Sequence, residues 1–165
     1  MKWVKELIPY VIIVLSVILI RTYIITPIKV NGASMEPALF DKEVLLLQKN
    51  DRNFKRFDII VLNYGKEKLI KRIIGLAGES IAYKNNKLWI NDVIVEEPMI
   101  NSATGDFDLE VSKGYQHIPE GYYFVMGDNR GNSVDGRLFG LIKKEDIIGK
   151  TNFAIYPLGN FGKID

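Results

Sequence analysis

The sequence contains no cysteine and a single histidine, and both scarcities narrow the chemistry open to it. Without cysteine there is no disulfide framework and no thiolate-based metal site. The one histidine, His117, has no second histidine and no serine-rich elbow near it, so a surface or packing role is favoured over a catalytic triad or a zinc site. A hydroxyl activated by a neutral lysine then becomes the nucleophile to look for.

The charge balance and the glycine pattern argue against further classes of protein function. The chain has 22 basic and 20 acidic residues, a formal charge of +2, which gives no footprint for nucleic acid. It has no Walker-type phosphate loop, so ATP and nicotinamide chemistry are unsupported and no cofactor or metal is expected. With 47% apolar and 25% charged residues in 165 positions, the composition fits one folded domain plus an anchor.

The N-terminal segment is the apolar part of the chain. Residues 7–20 are almost wholly apolar, and positions 3–25 would form a helix of about 35 Å, enough for a hydrocarbon core of roughly 30 Å. Lys5, Glu6 and Arg21 lie near its ends, where long side chains reach headgroups. This predicts a single transmembrane helix within an anchor spanning 1–27.

Two questions about this segment stay open from the residues alone. A cleaved secretory signal is the alternative to an anchor, although no A-x-A-like site follows promptly. The basic residues on the two sides nearly balance, Lys2 and Lys5 against Arg21 and Lys29, so charge does not decide the orientation.

The remainder, 28–165, predicts a mostly antiparallel β domain with little helix. Short β-type runs are separated by turn residues, and only the sequence 143–148 favours a helical turn. Asn85-Asn86 and Asn91-Asp92 suit hairpin tips because Asn and Asp tolerate positive φ, which makes the region 80–121 an inserted β-ribbon. The expected β runs are 44–47, 58–62, 68–74, 88–90, 122–126 and 152–156.

Ser34 is the candidate nucleophile. It follows Gly32-Ala33 and precedes Met35-Glu36-Pro37, where small residues and a proline allow a sharp, exposed backbone. Taken alone, a serine here is more often the start of a turn.

Lys71 is the candidate base. Strand alternation places it on one face with Leu69 and Ile73, and desolvation among such neighbours lowers the pKa of a lysine. Taken alone, an edge lysine that guards against strand pairing is the commoner explanation.

The segment GDNRGNSVDGR at 127–137 concentrates polar residues between glycines. A calcium loop is disfavoured because Arg130 and Ser133 stand where a ligand and a glycine are wanted. A solvated turn with ion pairs remains an alternative when the segment is taken alone.

The order of four motifs carries a resemblance: an apolar anchor is followed by SMEPAL at 34–39, RFDIIV at 56–61, KRIIGLAGE at 71–79 and GDNRGNSVDGR at 127–137. This set resembles bacterial type I signal peptidases, in particular the shorter, single-anchor members typical of Gram-positive bacteria. The resemblance extends to about Pro157. It implies a signal-peptidase-like antiparallel β catalytic domain and a membrane-bound serine endopeptidase.

By this resemblance Ser34 is the nucleophile and Lys71 the general base. The Ser34 N–H helps stabilise the oxyanion, while Gly32 stands where some members have a serine and offers only backbone. Ser133 matches the serine that orients the lysine. The supporting polar positions are Asp128, Asp135, Arg137 and Arg72, with Arg72 expected to pair with Asp128.

Four positions depart from the family pattern. Ala77 and Gly136 are expected to loosen the local backbone, and Gly136 also removes a hydroxyl near the base. The other two departures are Ala38 and Glu79.

The expected substrate is an exported preprotein whose signal peptide ends in Ala-x-Ala. An extended segment adds as a strand beside 30–34 and 69–71, receiving backbone hydrogen bonds. The substrate-binding residues are expected to be Val30, Asn31, Gly32, Ala33, Met35, Leu69 and Ile70.

The resemblance also fixes location and partners: the N-terminus is cytoplasmic, the catalytic domain is extracytoplasmic, and the partners are the lipid bilayer and, transiently, the export translocon. Two rival hypotheses are a catalytically silent, membrane-anchored peptide-binding β-domain and a self-cleaving serine/lysine repressor.

Overall fold

The computed structural model describes residues 2–100 and 102–164, without the side chains of residues 2, 4, 5, 20 and 23. The predicted placements of Lys2 and Lys5 therefore lie outside the described side chains. The helices are α1 (Lys2–Tyr23), α2 (Leu109–Lys113) and α3 (Gly136–Phe139). The strands are β1 (Ile25–Lys29), β2 (Val44–Gln48), β3 (Ile59–Tyr64), β4 (Glu67–Gly75), β5 (Ile81–Lys84), β6 (Lys87–Ile90), β7 (Val93–Val95), β8 (Phe107–Asp108), β9 (Tyr122–Met126), β10 (Ile142–Lys143), β11 (Ile147–Tyr156) and β12 (Gly162–Lys163).

Helix α1 ends two residues earlier than the predicted span. It stops at Tyr23 because the β-branched pair Ile24 and Ile25, and then Pro27, favour extended backbone, so β1 takes positions assigned to the anchor. Its described apolar side chains are exposed, from Leu7 (59%) to Leu19 (56%). Within the described residues, no helix combines the length and the apolarity needed to cross a membrane.

The main sheet is antiparallel and has the strand order β1-β2-β11-β3-β4-β9-β10, with β12 on β11. Four successive antiparallel pairings separate β1 from β4, so these two strands run in the same direction. Each also has a free edge, because β1 pairs only with β2, and β9 pairs with β4 only from Arg72 onward. Residues 67–71 of β4 therefore lack a partner on that side.

The inserted ribbon forms a second sheet, with the order β7-β6-β5-β8. The two predicted tips are confirmed: Asn85 and Asn86 have φ of 53° and 62°, and Asn91 and Asp92 have 48° and 62°. Within this ribbon the sequence prediction missed β5, β7, β8 and α2. Helix α2 begins after Asp108, whose carboxylate accepts from the N–H groups of Glu110 and Val111.

The core lies in three clusters around the sheets. Leu69 and Ile73 pack in one of them, with Ile60, Leu62 and Val125, while Ile70 and Ile74 belong to the other two. The alternation predicted for β4 is thus observed, and every residue from Ile70 to Gly75 is buried. This central strand presents Lys71 from the most protected part of the domain.

Candidate active site

Ser34 lies in a turn after β1 that the core holds in place. Met35 and Leu39 directly after it are 1% and 0% exposed, and the Leu39 N–H donates to the Met35 carbonyl. Before it, Gly32 has φ of +89° and its N–H donates to Asp41 Oδ1 at 2.9 Å. The positive φ explains the glycine, because L residues rarely adopt it.

Lys71 approaches Ser34 from β4. Its Nζ lies 2.8 Å from Ser34 Oγ, and the lysine is only 2% exposed. Burial lowers the pKa of Lys71 from its ordinary value of 10.5 to about 8, against the opposing charges of Asp135 and Asp128 and with help from Arg137. With this pKa about 9% of Lys71 is neutral at pH 7 and able to accept the hydroxyl proton.

The loop after β9 fixes the backbone of the Ser34 turn from the opposite side. The Asn129 N–H donates to the Ser34 carbonyl at 3.1 Å, and Asn129 Nδ2 donates to the Ala33 carbonyl at 3.1 Å. A Cβ on Gly127 would lie 2.4 Å from the Ser34 carbonyl oxygen and 2.3 Å from Ser133 Oγ. Neither role was predicted, since the roles expected in this loop fell on Asp128, Ser133, Asp135 and Arg137.

Two ion pairs flank the lysine. Arg72 donates to both oxygens of Asp128, at 2.9 and 2.7 Å, with both side chains almost fully buried, as the sequence analysis expected. Arg137 binds Asp135 at 2.9 Å, and Asp135 also accepts the Gly127 N–H. Burial alone would raise the pKa of Asp135, but the Arg137 guanidinium and the Gly127 N–H hold it below its usual range.

Arg130 connects the catalytic loop to the inserted ribbon, a role that the sequence analysis did not assign. Its Nε donates to the Gly127 carbonyl at 3.0 Å, and its guanidinium binds Glu97 at 2.6 Å and Thr104 Oγ1 at 2.8 Å. It also contacts the Tyr83 hydroxyl at 3.0 Å. The contacts with Thr104, Glu97 and Tyr83 join residues 26 to 47 positions apart, so no local pattern could reveal them.

Ser133 does not occupy the orienting position expected of it. Its Oγ is buried and has no hydrogen-bond partner among the described residues, Lys71 Nζ included. The Ser133 hydroxyl is near Asp135 and contributes to the lowered pKa of that carboxylate, but the two groups do not meet the geometry of a hydrogen bond. In this conformation burial and Ser34, not Ser133, position the lysine amine.

The departures from the family pattern also have structural answers. A Cβ on Gly136 would lie 2.7 Å from the Phe124 ring and 2.8 Å from the Val125 carbonyl oxygen, so this glycine permits close packing on β9. Glu79 binds Arg56 and accepts the Leu76 N–H at 2.8 Å, which fixes the segment containing Ala77. Ala77 and Ala38 are half-buried, and nothing in the structure gives either a specific role.

A cleft of about 640 Å³ opens between the free edges of β1 and β4 and ends at Ser34 and Lys71. Of the predicted substrate-binding residues, Val30, Asn31, Met35, Leu69 and Ile70 line it. Gly32 and Ala33 do not line the cleft and instead shape the turn that carries Ser34.

A buried lysine in contact with a serine, at the end of a cleft between two strand edges, defines a serine/lysine hydrolase on an antiparallel β fold. Comparison with known families agrees, because the family described as signal peptidase, peptidase S26 matches residues 1–156. The chain belongs to this family, and the predicted resemblance is confirmed.

Individual relatives match over most of their length. Signal peptidase I P of Bacillus subtilis subsp. natto is 40% identical over 181 residues, covering 99% of this chain and 92% of that protein. Signal peptidase I U of Bacillus subtilis strain 168 is 41% identical over 172 residues, covering 90% and 88%. The crystal structure of a signal peptidase I from Enterococcus faecalis is 37% identical, with a TM-score of 0.56, and covers 59% of this chain and 96% of that chain.

Proposed function

We propose that this protein is a serine endopeptidase that removes N-terminal signal peptides from exported preproteins, with Ser34 as nucleophile and Lys71 as general base. The observation that carries the proposal is the 2.8 Å approach of Lys71 Nζ to Ser34 Oγ, with the lysine buried and its pKa lowered to about 8. Family membership supports the same reaction. Membership and geometry agree on the chemistry.

In the first step, neutral Lys71 takes the proton of the Ser34 hydroxyl as Oγ attacks the scissile carbonyl. The oxyanion that forms accepts the N–H of Ser34, which donates to no backbone carbonyl among the described residues. The Gly32 N–H is already bound to Asp41 and is not available in this conformation. The Lys71 ammonium then protonates the leaving amine, which departs as the new N-terminus of the mature protein.

In the second step, neutral Lys71 takes a proton from water, which attacks the acyl-enzyme carbonyl. The bond between Ser34 Oγ and the acyl carbon then breaks, the Lys71 ammonium returns its proton to Ser34 Oγ, and the signal peptide leaves with a new C-terminal carboxyl group. The lysine is charged transiently in both steps. Asp135 and Asp128 favour that charged state electrostatically, so they stabilise the ammonium at the moment when it forms.

The substrate enters the cleft as an extended strand between β1 and β4. Residues 67–71 have unpaired backbone groups on this side, and a peptide that binds them obtains main-chain hydrogen bonds without specific side chains. Because β1 and β4 run the same way, one peptide meets both edges with the same relative direction. Ser34 and Met35 line the catalytic end of the cleft, where the small side chains of an Ala-x-Ala end bind.

The catalytic domain acts at the outer face of the cell membrane, held there by α1 as a single-pass anchor with a cytoplasmic N-terminus. The exposed apolar side chains from Leu7 to Leu19 support this role, together with the apolar sequence 3–25. The lipid bilayer and, transiently, the export translocon are its partners. Because the chain has no cysteine, Lys87→Cys gives a single label site: an impermeant maleimide should modify it in intact cells, and labelling only after lysis would contradict the orientation.

The detergent-solubilised protein should cleave a preprotein and generate the mature N-terminus. Ser34→Ala and Lys71→Met should each lower cleavage about a thousandfold or more, because one removes the nucleophile and the other the base while keeping its apolar stem. Peptide binding without cleavage by the unsubstituted protein would instead favour the silent peptide-binding domain. Normal turnover by folded Ser34→Ala would refute the nucleophile assignment.

A further inference from the structure

The outer end of the cleft is charged, unlike the apolar surroundings of Lys71. Lys29 is the last residue of β1, Lys66 lies in the turn just before β4, and Lys68 is the second residue of β4. All three line the cleft and are exposed. Among the described residues, none of them is within ion-pair distance of a carboxylate. Glu67 is the acidic residue of this rim, so the rim has an excess of positive charge.

The position of the rim along a bound peptide follows from strand spacing. At about 3.3 Å per residue, Lys68 lies about 10 Å from Lys71 along β4, and Lys66 about 17 Å. Lys29 is the last residue of β1 and lies closer to the turn that carries Ser34 than Pro27 does. A peptide whose last residue before the scissile bond lies beside Lys71 therefore passes Lys68 and Lys66 with about its fourth and sixth residues before that bond.

The side of the scissile bond follows from the anchor. Pro27, at the outer end of the cleft, is four residues from the end of α1, so this end of the cleft is close to the anchor helix. A signal peptide has its apolar segment N-terminal to the cleavage site, and that segment lies in the same membrane as the anchor. The peptide therefore enters with its N-terminal side at the lysines.

We infer that Lys29, Lys66 and Lys68 make this peptidase select substrates with an acidic side chain four to six residues before the scissile bond, and disfavour a basic one there. The inference rests on the proposed function and names a specificity determinant of that same cleft. Glu67 opposes the three lysines and reduces the preference. Selection by charge at this position is distinct from selection of small side chains next to Ser34.

The size of the preference for an acidic side chain depends on how exposed the paired charges are to solvent. Pairs of solvent-exposed charges contribute about 0.2–1 kcal/mol each, which corresponds to a change of about 1.4-fold to fivefold. Because the rim is solvated, salt screens it: the Debye length falls from about 10 Å at 0.1 M to about 3 Å at 1 M. A preference that disappears in high salt is therefore the signature of these lysines.

The test uses the full-length protein in neutral detergent and three synthetic peptides with Ala at the first and third positions before the scissile bond. The peptides carry Glu, Gln or Lys at the fifth position, and kcat/KM is measured at low and high salt. We expect the Glu peptide to exceed the Gln peptide about two- to fivefold at low salt, the Lys peptide to fall below it, and the three to converge at high salt. Lys29→Gln, Lys66→Gln and Lys68→Gln together should abolish the difference, and Glu67→Gln should increase it.

Lys87→Gln is the matched control, since this exposed lysine lies on β6 of the ribbon, outside the cleft, and should leave the ratios unchanged. Equal kcat/KM for the three peptides, or a ratio that survives loss of the rim lysines, would overturn the inference. The inference would also be overturned if substituting the three lysines changed activity only on vesicles that contain anionic lipid, because the lysines would then bind lipid headgroups. Failure to cleave the Gln peptide at all would refute the proposed function instead.

Discussion

The pH dependence of cleavage tests the central claim that Lys71 works unprotonated. With a pKa of about 8, the neutral fraction of Lys71 is about 9% at pH 7, about 50% at pH 8 and about 91% at pH 9. If only the neutral amine accepts the Ser34 proton, kcat/KM should rise about fivefold from pH 7 to 8, less than twofold from pH 8 to 9, and then level off.

A solvated lysine would behave differently over the same range. With the ordinary pKa of 10.5, kcat/KM would rise about tenfold from pH 8 to 9 and continue upward. The step between pH 8 and 9 therefore separates the two cases, using initial rates on a peptide with an Ala-x-Ala end and buffers of constant ionic strength. A tenfold increase over that step would refute the reasoning from burial.

Asp135→Asn adds a second measurement to the same experiment. Asp135 is the leading charge that raises the pKa of Lys71 against burial, so its removal should move the rise in kcat/KM to lower pH. The maximum rate should also fall, because the carboxylate that stabilises the transient ammonium is lost. A variant that loses rate with no shift of the profile would show that Asp135 acts only through the Gly127 and Arg137 contacts.

Three further substitutions test the surroundings of the site. Lys71→Met should raise the free energy of unfolding by about 3 kcal/mol at pH 7; because the pKa of the folded lysine is depressed, this gain should shrink from pH 8 to 10.5, as urea denaturation at several pH values would show. Gly32→Ser should lower the free energy of unfolding by about 1–2 kcal/mol, which thermal denaturation would show as a lower melting temperature. The cause is the φ of +89°, which strains an L residue even though a Cβ at this position would meet no atom within 4 Å. Arg130→Met should cost about 3–5 kcal/mol by leaving Glu97 buried and unpaired, and denaturation of the double variant with Glu97→Gln should show partial recovery.

The parts of this site that were predicted from the sequence depend on short-range patterns. Strand alternation placed Lys71 with Leu69 and Ile73, and two Asn-rich dipeptides located the ribbon turns, because each signal lies within a few residues. The mostly antiparallel fold followed from the same kind of pattern. The predicted C-terminal end of the anchor helix was less accurate, because apolar β-branched residues are compatible with both a membrane helix and a strand.

The missed features depend on the tertiary packing. Asn129 contacts Ala33 across 96 positions, and nothing in either segment alone specifies that pairing. Gly136 was interpreted by its backbone freedom, whereas the structure uses its lack of a Cβ against Phe124. Ser133 was assigned by position in a motif, but whether a hydroxyl reaches an amine depends on a rotamer and on backbone placement that a motif does not encode.

The electrostatic setting of Lys71 resolves two opposing requirements. A base must be neutral before the reaction, yet it must hold a proton once the oxyanion forms, so an extreme pKa in either direction slows catalysis. Burial without nearby carboxylates would depress the pKa further, and carboxylates without ion-pair partners would oppose burial more strongly. Arg72 and Arg137 each pair with one carboxylate, so Asp128 and Asp135 oppose burial only in part. The two carboxylates thus keep the lysine basic enough to take the proton, and the arginines that pair with them keep it neutral enough to be ready for it.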